Sequence, residues 1–397
     1  MRKSTPKRLP ALAALLLAGL ALGQAQRKEI EVDVFGAGKV KAIPIAIEGF
    51  SGETLALLKF DLFVQGFEFV DKAKAQFTIK NNGSTASSVR GAVYDRVKKG
   101  DILTRSYKGG SLRQQAHTFA NNTVEAITGS PGIGLTRIAF KQKHGRNSEI
   151  HVADFDGHNS ERLTHDNSIV AGPGWMPNND TLYYCSYRRH NADIYSHNVK
   201  TGARQEVVRY AGSNISPAVS PDGRRLAMVL SKAGSPDIWV GSAANGTGLR
   251  RLTTTKDDES SPCWSPDGRW ICFTSRAGGS TALYKIPANG GSMSRIHTTG
   301  VFNATEPDWS PDGKAIAFTT MRGGGVFEIC IVPPGGGNAE VLATGEDPSW
   351  APNSRTLMFT RRSAGKRFLS VLDVPTKRVK TLPHSFPGDC SQAAWSK

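Results

Sequence analysis

The sequence predicts a small N-terminal α/β domain followed by an all-β six-bladed β-propeller, and three observations carry that prediction. First, the phrase Pro-x-Trp-Ser-Pro-Asp-Gly recurs, clearest at 262–268 and 307–313, with weaker copies beginning at Pro173, Pro217 and Pro348. Second, the aligned positions Trp175, Val219, Trp264, Trp309, Trp350 and Trp395 are 44, 45, 45, 41 and 45 residues apart. A period in this range marks one supersecondary unit built repeatedly. Third, the two ends of the repeat region complement each other. The last copy supplies only a first strand around Trp395, whereas the segment around Ile138-Ala139-Phe140 has the later strands and lacks the first.

Taken in order, the chain opens with Arg2, Lys3, Lys7 and Arg8, an apolar run over 9–22 and small residues around Gly23. That is the pattern of a secretory signal peptide, residues 1–23, cleaved near Gly23. No later apolar run is long enough to span a bilayer, and no Cys near the cleavage point suggests a lipid anchor. The expected product is exported. Residues 24–135 read as the α/β domain. Strand-like 29–34 and 43–47 precede a helix over 54–64 with Leu55, Leu58 and Leu62 on one face. Short strands over 77–80, 89–94 and 102–107 lead to a helix over 112–127. Its Leu112, Ala116, Phe119, Ala120 and Ile127 form one stripe, with Ser111 as N-cap and Gly129 as C-cap. The stretch Ser130-Pro131-Gly132-Ile133-Gly134 reads as a hinge.

From 136 to 397 the pattern alternates as strands do. Each Pro-Asp-Gly turn is followed by an apolar-x-apolar run, such as Ile271/Phe273 or Ile316/Phe318, then a third strand, an Asn-Gly turn and a fourth strand. Asn-Gly and Asp-Gly suit antiparallel hairpins because they tolerate positive φ. Four antiparallel strands per 45-residue unit make a propeller blade. Six Trp-position strands make six blades, the last closed by Trp395 against Ile138.

The formal charge of +16 falls by four when the leader is removed. A basic balance suits an acidic partner, and for an exported chain nucleic acid is the least fitting one. Five scattered cysteines do not form a disulfide framework. Cys263 and Cys272 flank one tight turn and could face each other, although cross-strand geometry seldom suits the bond.

Enzymatic motifs fail on inspection. No Gly-x-Ser-x-Gly nucleophile elbow occurs, and Gly36-Ala37-Gly38-Lys39 lacks phosphate-loop spacing. The Asp154-Phe155-Asp156-Gly157 run lacks the closing Glu of a calcium loop. His117 on the second helix reads as a packed or interface residue. Asp222, Asp267 and Asp312 read as turn residues that accept local backbone hydrogen bonds. No catalytic residue, metal site or cofactor is expected.

What remains is a surface. Loops that join each fourth strand to the next first strand crowd the channel mouth, and those joining second to third strands lie further out on the same face. The inner set carries Asp166, Asp257, Asp258, Glu259, Glu306, Glu346, Asp347 and Asp389. The outer set carries Lys141, Lys143, Arg146, Arg188, Arg189, Lys232, Arg276, Arg322, Arg361, Arg362, Lys366 and Arg367. The expected face has an acidic mouth inside a basic rim. It is either a set of solvated loop charges or a surface that orients a protein partner.

The order of signal peptide, α/β domain and six-bladed propeller resembles the TolB family of the periplasmic Tol–Pal system. Pro44-Ile45-Ala46-Ile47-x-x-Phe50 resembles that family's early strand. Arg113-x-x-Ala116-His117, leading through Ile127-Thr128-Gly129 to Thr136-Arg137-Ile138-Ala139-Phe140, resembles its domain junction, whereas 71–88 departs from its pattern. The resemblance implies a non-enzymatic periplasmic adaptor, a monomer, acting in envelope integrity and cell division. It implies that a Pal-like peptidoglycan-associated lipoprotein docks at the mouth through Ser213, Asn214, Ser216, Asp258, Glu259, Ser260, Ser261, Asn303, Thr305 and Glu306. It also implies that a TolA-like inner-membrane protein binds the N-terminal segment Glu29, Ile30, Glu31, Val32, Asp33 and Val34. From the residues alone, that segment is equally an added strand or an ordinary first strand. Two alternatives stay open: a propeller enzyme (hydrolase, or lyase/epimerase) acting on a small envelope ligand in its channel, and a carbohydrate-binding propeller. The second calls for aromatics at the mouth, where Phe302 is the main one.

Overall fold

The computed structural model describes residues 40–397 apart from 384, 385 and 387. The expected leader and residues 29–34 therefore lie outside the described residues. In the N-terminal domain β1 (Ile43–Glu48), α1 (Gly52–Phe63), β2 (Phe67–Phe69), β3 (Phe77–Asn81), β4 (Ser88–Asp95), β5 (Gly100–Lys108) and α2 (Leu112–Thr128) follow in sequence. They build one five-stranded sheet of order β2-β1-β3-β4-β5, with β1 parallel to both neighbours. Three-residue β2 is too short to leave a periodic signal. The α2 caps form as expected: the Ser111 hydroxyl accepts from the Gln114 N–H at 3.1 Å, and Gly129 is left-handed at φ 81°. The α2 stripe packs with Leu58 and Leu62 of α1 into the domain core.

Six four-stranded sheets follow, each antiparallel. The inner strands of blades 1–5 are Val170–Trp175, Asn214–Val219, Glu259–Trp264, Thr305–Trp309 and Glu346–Trp350. In blade 6 the inner strand Cys390–Trp395 pairs with Arg137–His144, setting Trp395 opposite Ile138 and Cys390 opposite Gln142. The first and last strands of the ring thus share one sheet, so neither is left as an open edge. Trp395 is buried; its indole N–H donates to the Thr136 hydroxyl at 2.7 Å, and its ring stacks on Phe155.

The repeated turn explains its own sequence. In Ser220, Ser265 and Ser310 the hydroxyl donates to the Asp two residues on (Asp222, Asp267, Asp312). Each hydroxyl oxygen also accepts the N–H five residues on, at 2.9 Å. The carboxylate accepts the N–H two residues after itself, at 3.0–3.1 Å. These acids cap turns, as expected. Cys263 and Cys272 face each other in register as free thiols. The 41-residue spacing before Trp350 also has a cause. Only Gly345 separates the fourth strand Glu340–Thr344 from Glu346–Trp350, and a Cβ there would meet Phe359 at 2.4 Å.

The α/β domain docks on the face opposite the channel mouth. Phe60 of α1 packs against Phe155, Arg378 lies over Phe63 at 3.8 Å, and Arg378 donates to the Phe67 carbonyl at 2.7 Å. One core cluster holds Phe60, Val64 and Ile133 together with Ile138, Phe155 and Trp395. Of residues 130–134, expected as a hinge, Ser130 and Pro131 are exposed but Ile133 and Gly134 are packed down. The Ile133 N–H donates to Gln65 at 3.1 Å and the Gly134 N–H to Asn121 at 2.7 Å. A Cβ at Gly134 would come within 2.8 Å of the Asp61 carboxylate.

Buried charges complete that interface. Arg113 bridges Glu53 and Asp156, while His117 Nδ1 lies 2.7 Å from Asp61 and Nε2 lies 3.7 Å from Asp156. Burial pushes Asp61 up to about 6 against the pull of His117. Burial alone would lower His117, but Asp61 outweighs it and the imidazole is raised. Asp156, in the run tested above for calcium, therefore ties the two domains together. No described helix is long and apolar enough to cross a membrane.

Because Trp395 fills the joint between ring closure and domain interface, Trp395→Ala should cost about 3–5 kcal/mol. Equilibrium urea unfolding measures this; a loss under about 1 kcal/mol would mean that the closing strand is not held by this side chain.

Candidate functional site: the channel mouth

The inner strands share a device that sequence reasoning missed. Each is interrupted by a bulge at the same level. At each bulge the residue three before the Trp position is left-handed. They are Gly172 (φ 62°), Ser216 (53°), Ser261 (51°), Glu306 (53°), Asp347 (57°) and Gln392 (52°). Five of the six are not glycine, so this conformation carries a cost of about 1–2 kcal/mol per residue. Bulges re-aim side chains, and such strain persists where the surroundings over-determine it. For four of the six, the surroundings are a chain of bonds along one side of the neck. The Asp347 N–H donates to Glu306 at 3.2 Å, the Gln392 N–H to Asp347 at 3.1 Å, and the Gly172 N–H to Gln392 at 3.2 Å. The hydroxyls of Thr319 and Thr360 donate to Glu306 and Asp347 at 2.8 and 3.1 Å. The only sequence trace of this ring is a set of mostly polar residues at one fixed offset from each Trp.

Below the neck the channel widens into a cavity of about 480 Å³. Its wall is ringed by the repeat prolines, including Pro217, Pro262, Pro307 and Pro348, with Asp308 and Lys397 paired at 3.0 Å. At the neck, burial and then the Asp347 charge push Glu306 up to about 7. Burial and then Glu346 raise Asp347 as well. Two carboxyls this close resist joint ionisation.

The residues expected to meet a partner separate into two groups. Asp258 and Asn303 are exposed, while Ser213, Ser216, Ser260, Ser261, Thr305 and Glu306 are half-buried around the mouth. Asn214 and Glu259 do not reach the surface. The Asn214 amide donates to the Ala192 and Tyr210 carbonyls at 2.9 Å, and Glu259 accepts from Thr255 and Ser275 at 2.7 and 2.8 Å. Both begin their inner strands, where strand alternation turns the side chain into the blade rather than toward the mouth.

The two charge sets also interlock rather than forming separate belts. Arg204, from an outer strand, clamps Asp166 with two bonds at 2.6 and 2.7 Å. Arg362 and Arg367 close on Glu346 at 2.6 and 3.0 Å. Lys141, expected on the rim, is half-buried, and burial lowers it despite the nearby Asp347. The acids left most open are Asp257 and Asp258.

The mouth is uneven. On the long connection between Ser294–Ile296 and Thr305–Trp309, Phe302 is 81% exposed. That connection is braced: Thr298–Thr299 pairs in parallel with Gly337–Asn338, and the Thr320 hydroxyl donates to the Phe302 carbonyl. Met321 and Val326, on the paired strands Ile316–Arg322 and Val326–Val332 that follow, are also exposed, as are Ile169 and Tyr187 on the first blade. Among the described residues no group of three or more His, Cys, Asp or Glu is arranged to hold a metal ion.

Residues 124–397 match the family model described as the TolB beta propeller domain. The chain belongs to the TolB β-propeller family. Relatives named Tol-Pal system protein TolB include one from Anaeromyxobacter dehalogenans, 31% identical over 289 residues, covering 63% of this chain and 65% of the relative. One from Bordetella parapertussis is 30% identical over 270 residues, covering 60% and 61%. The matched part thus spans less than two thirds of these TolB relatives. The crystal structure of TolB from Acinetobacter baumannii superposes with a TM-score of 0.81 at 24% identity, covering 90% of this chain and 97% of that one. That likeness concerns the TolB fold and includes the α/β domain.

The neck acids give a pH signature. A carboxyl raised to about 7 binds its proton more tightly in the folded chain. Its stabilising contribution is complete below about 4.5 and is lost as pH rises through 7. Relative to Glu306→Gln, the wild type should lose on the order of 1–2 kcal/mol between pH 4.5 and 7.5, allowing for solvent access at the mouth. Parallel denaturation curves over that range would show no divergence if Glu306 is ionised throughout.

Proposed function

We propose that this chain is a non-enzymatic periplasmic adaptor of the Tol–Pal system, contributing to outer-membrane integrity and to constriction at division. Membership of the TolB β-propeller family and relatives named for that system support this reading. A Pal-like lipoprotein docks on the mouth face, and a TolA-like protein takes the N-terminal segment at 29–34. The observation that carries the docking site is the braced, exposed Phe302 beside Asn303, with Asp258 exposed on another mouth loop. Binding energy concentrates in aromatic anchors held on rigid supports, and rim charge orients the encounter. Asn214 and Glu259 support the loops from within the blades, and the accessible members of the expected set make the contacts.

The enzyme alternative needs a reactive group free to meet a ligand. Glu306 and Asp347 are both engaged in the bonds of the neck, so the adaptor reading is preferred.

With the Pal-like partner in calorimetric titration, Phe302→Ala should weaken binding by roughly 30-fold or more, the loss of a hot spot of ~2 kcal/mol. Asp258→Lys should mainly slow association at low salt. Unchanged affinity in both variants, with the melting curve intact, would remove the mouth as the docking site. Deleting residues 24–34 should abolish capture of the TolA-like partner while leaving the Pal-like affinity measurable; retained TolA capture by the folded deletion variant would exclude that segment.

A further inference from the structure

Two histidines on the closing blade have no part in the proposed docking. His144 ends the strand Arg137–His144 at the mouth-side turn, and His151 lies on its hairpin partner Asn147–Asp154. Their Nε2 atoms face each other at 3.5 Å, with the rings 5.7 Å apart and inclined by 29°. That separation is long for a direct N–H···N bond, which favours about 2.7–3.2 Å. It is close to what one shared cation requires. Two zinc–nitrogen bonds of about 2.0–2.1 Å meeting at a tetrahedral angle hold their nitrogens about 3.4 Å apart.

We propose that His144 and His151 form a two-imidazole site for a divalent transition-metal cation of the zinc or copper class. His151 is a preset ligand. Its ring stacks on Phe140 at 5.7 Å, and Phe140 packs on Phe386 at 4.6 Å, which fixes its orientation. His144 sits on the exposed turn and completes the pair.

The donor set selects the metal. The nearby Glu149 carboxylate is fully engaged by Arg162, Thr164 and the N–H groups of Asp166 and Asn167. Among the described residues this leaves no free carboxylate for calcium or magnesium, whereas neutral imidazoles suit zinc, copper and nickel. The Arg162 charge, which would oppose a cation, is offset by its 2.7 Å contact with Glu149, and His165 on the following loop is the other nearby titratable group. With two protein ligands, the remaining positions fall to water or to a donor from a chain docked on the mouth face.

Zinc ion alone, titrated calorimetrically into the purified protein at neutral pH, tests this. The expected result is one micromolar-range site that weakens at least about tenfold in His144→Ala and in His151→Gln, as loss of a direct ligand demands. His144 lies on an exposed turn, so its variant decides the matter even if the His151 variant fails to fold. A smaller loss in His144→Ala, or no wild-type binding tighter than millimolar, overturns the proposal.

Discussion

The pairing of Cys390–Trp395 with Arg137–His144 is the constraint on which the rest of the structure depends. A ring of blades has two loose ends, and each would expose a row of unpaired backbone groups unless they meet. Here the last strand enters the first sheet, so the channel has a fixed circumference and every blade is held by its neighbours. Only within a closed ring can Glu306, Asp347, Gln392 and Gly172 pass hydrogen bonds from blade to blade. The same joint carries the α/β domain. Trp395 stacks on Phe155, and Phe155 meets Phe60 of that domain.

The two faces of the propeller differ in character. On the face turned to the α/β domain, Asp156 meets a compact group of charges from that domain, Arg113 with its partner Glu53 and His117 with Asp61. Breaking such a pair leaves an uncompensated buried charge, so the arrangement favours one docking geometry. The other face keeps its strain and its loose charge. Left-handed bulges ring the neck, two carboxyls sit close together, and Phe302 stands clear on a braced loop.

Much of this was legible beforehand because it rests on local rules. The Ser-Pro-Asp-Gly turn bonds within a few residues, so its Ser and Asp roles could be read from spacing. The α2 caps at Ser111 and Gly129 are likewise local. Asn214 and Glu259 precede Pro217 and Pro262, a position that by the repeat alone belongs to the mouth; only the pleat of the folded strand shows that they point into the blade. Asp156 looked like part of a weak calcium run, and its partners Arg113 and His117 lie about forty residues away in the sequence. The Gly and Pro of 130–134 favour a turn and so read as a hinge, yet the end of that segment is held by Ile133 packed between the domains.

By itself the sequence determined the number of blades, the site of closure, the two-domain order and the turn chemistry, since each follows from periodicity or from bonds between near neighbours. Tertiary structure alone decided which mouth residues are reachable, where the neck is strained, which acids lie close together and which histidines meet. Those properties depend on distances between residues far apart in the chain and on burial, and neither is set until the ring has closed.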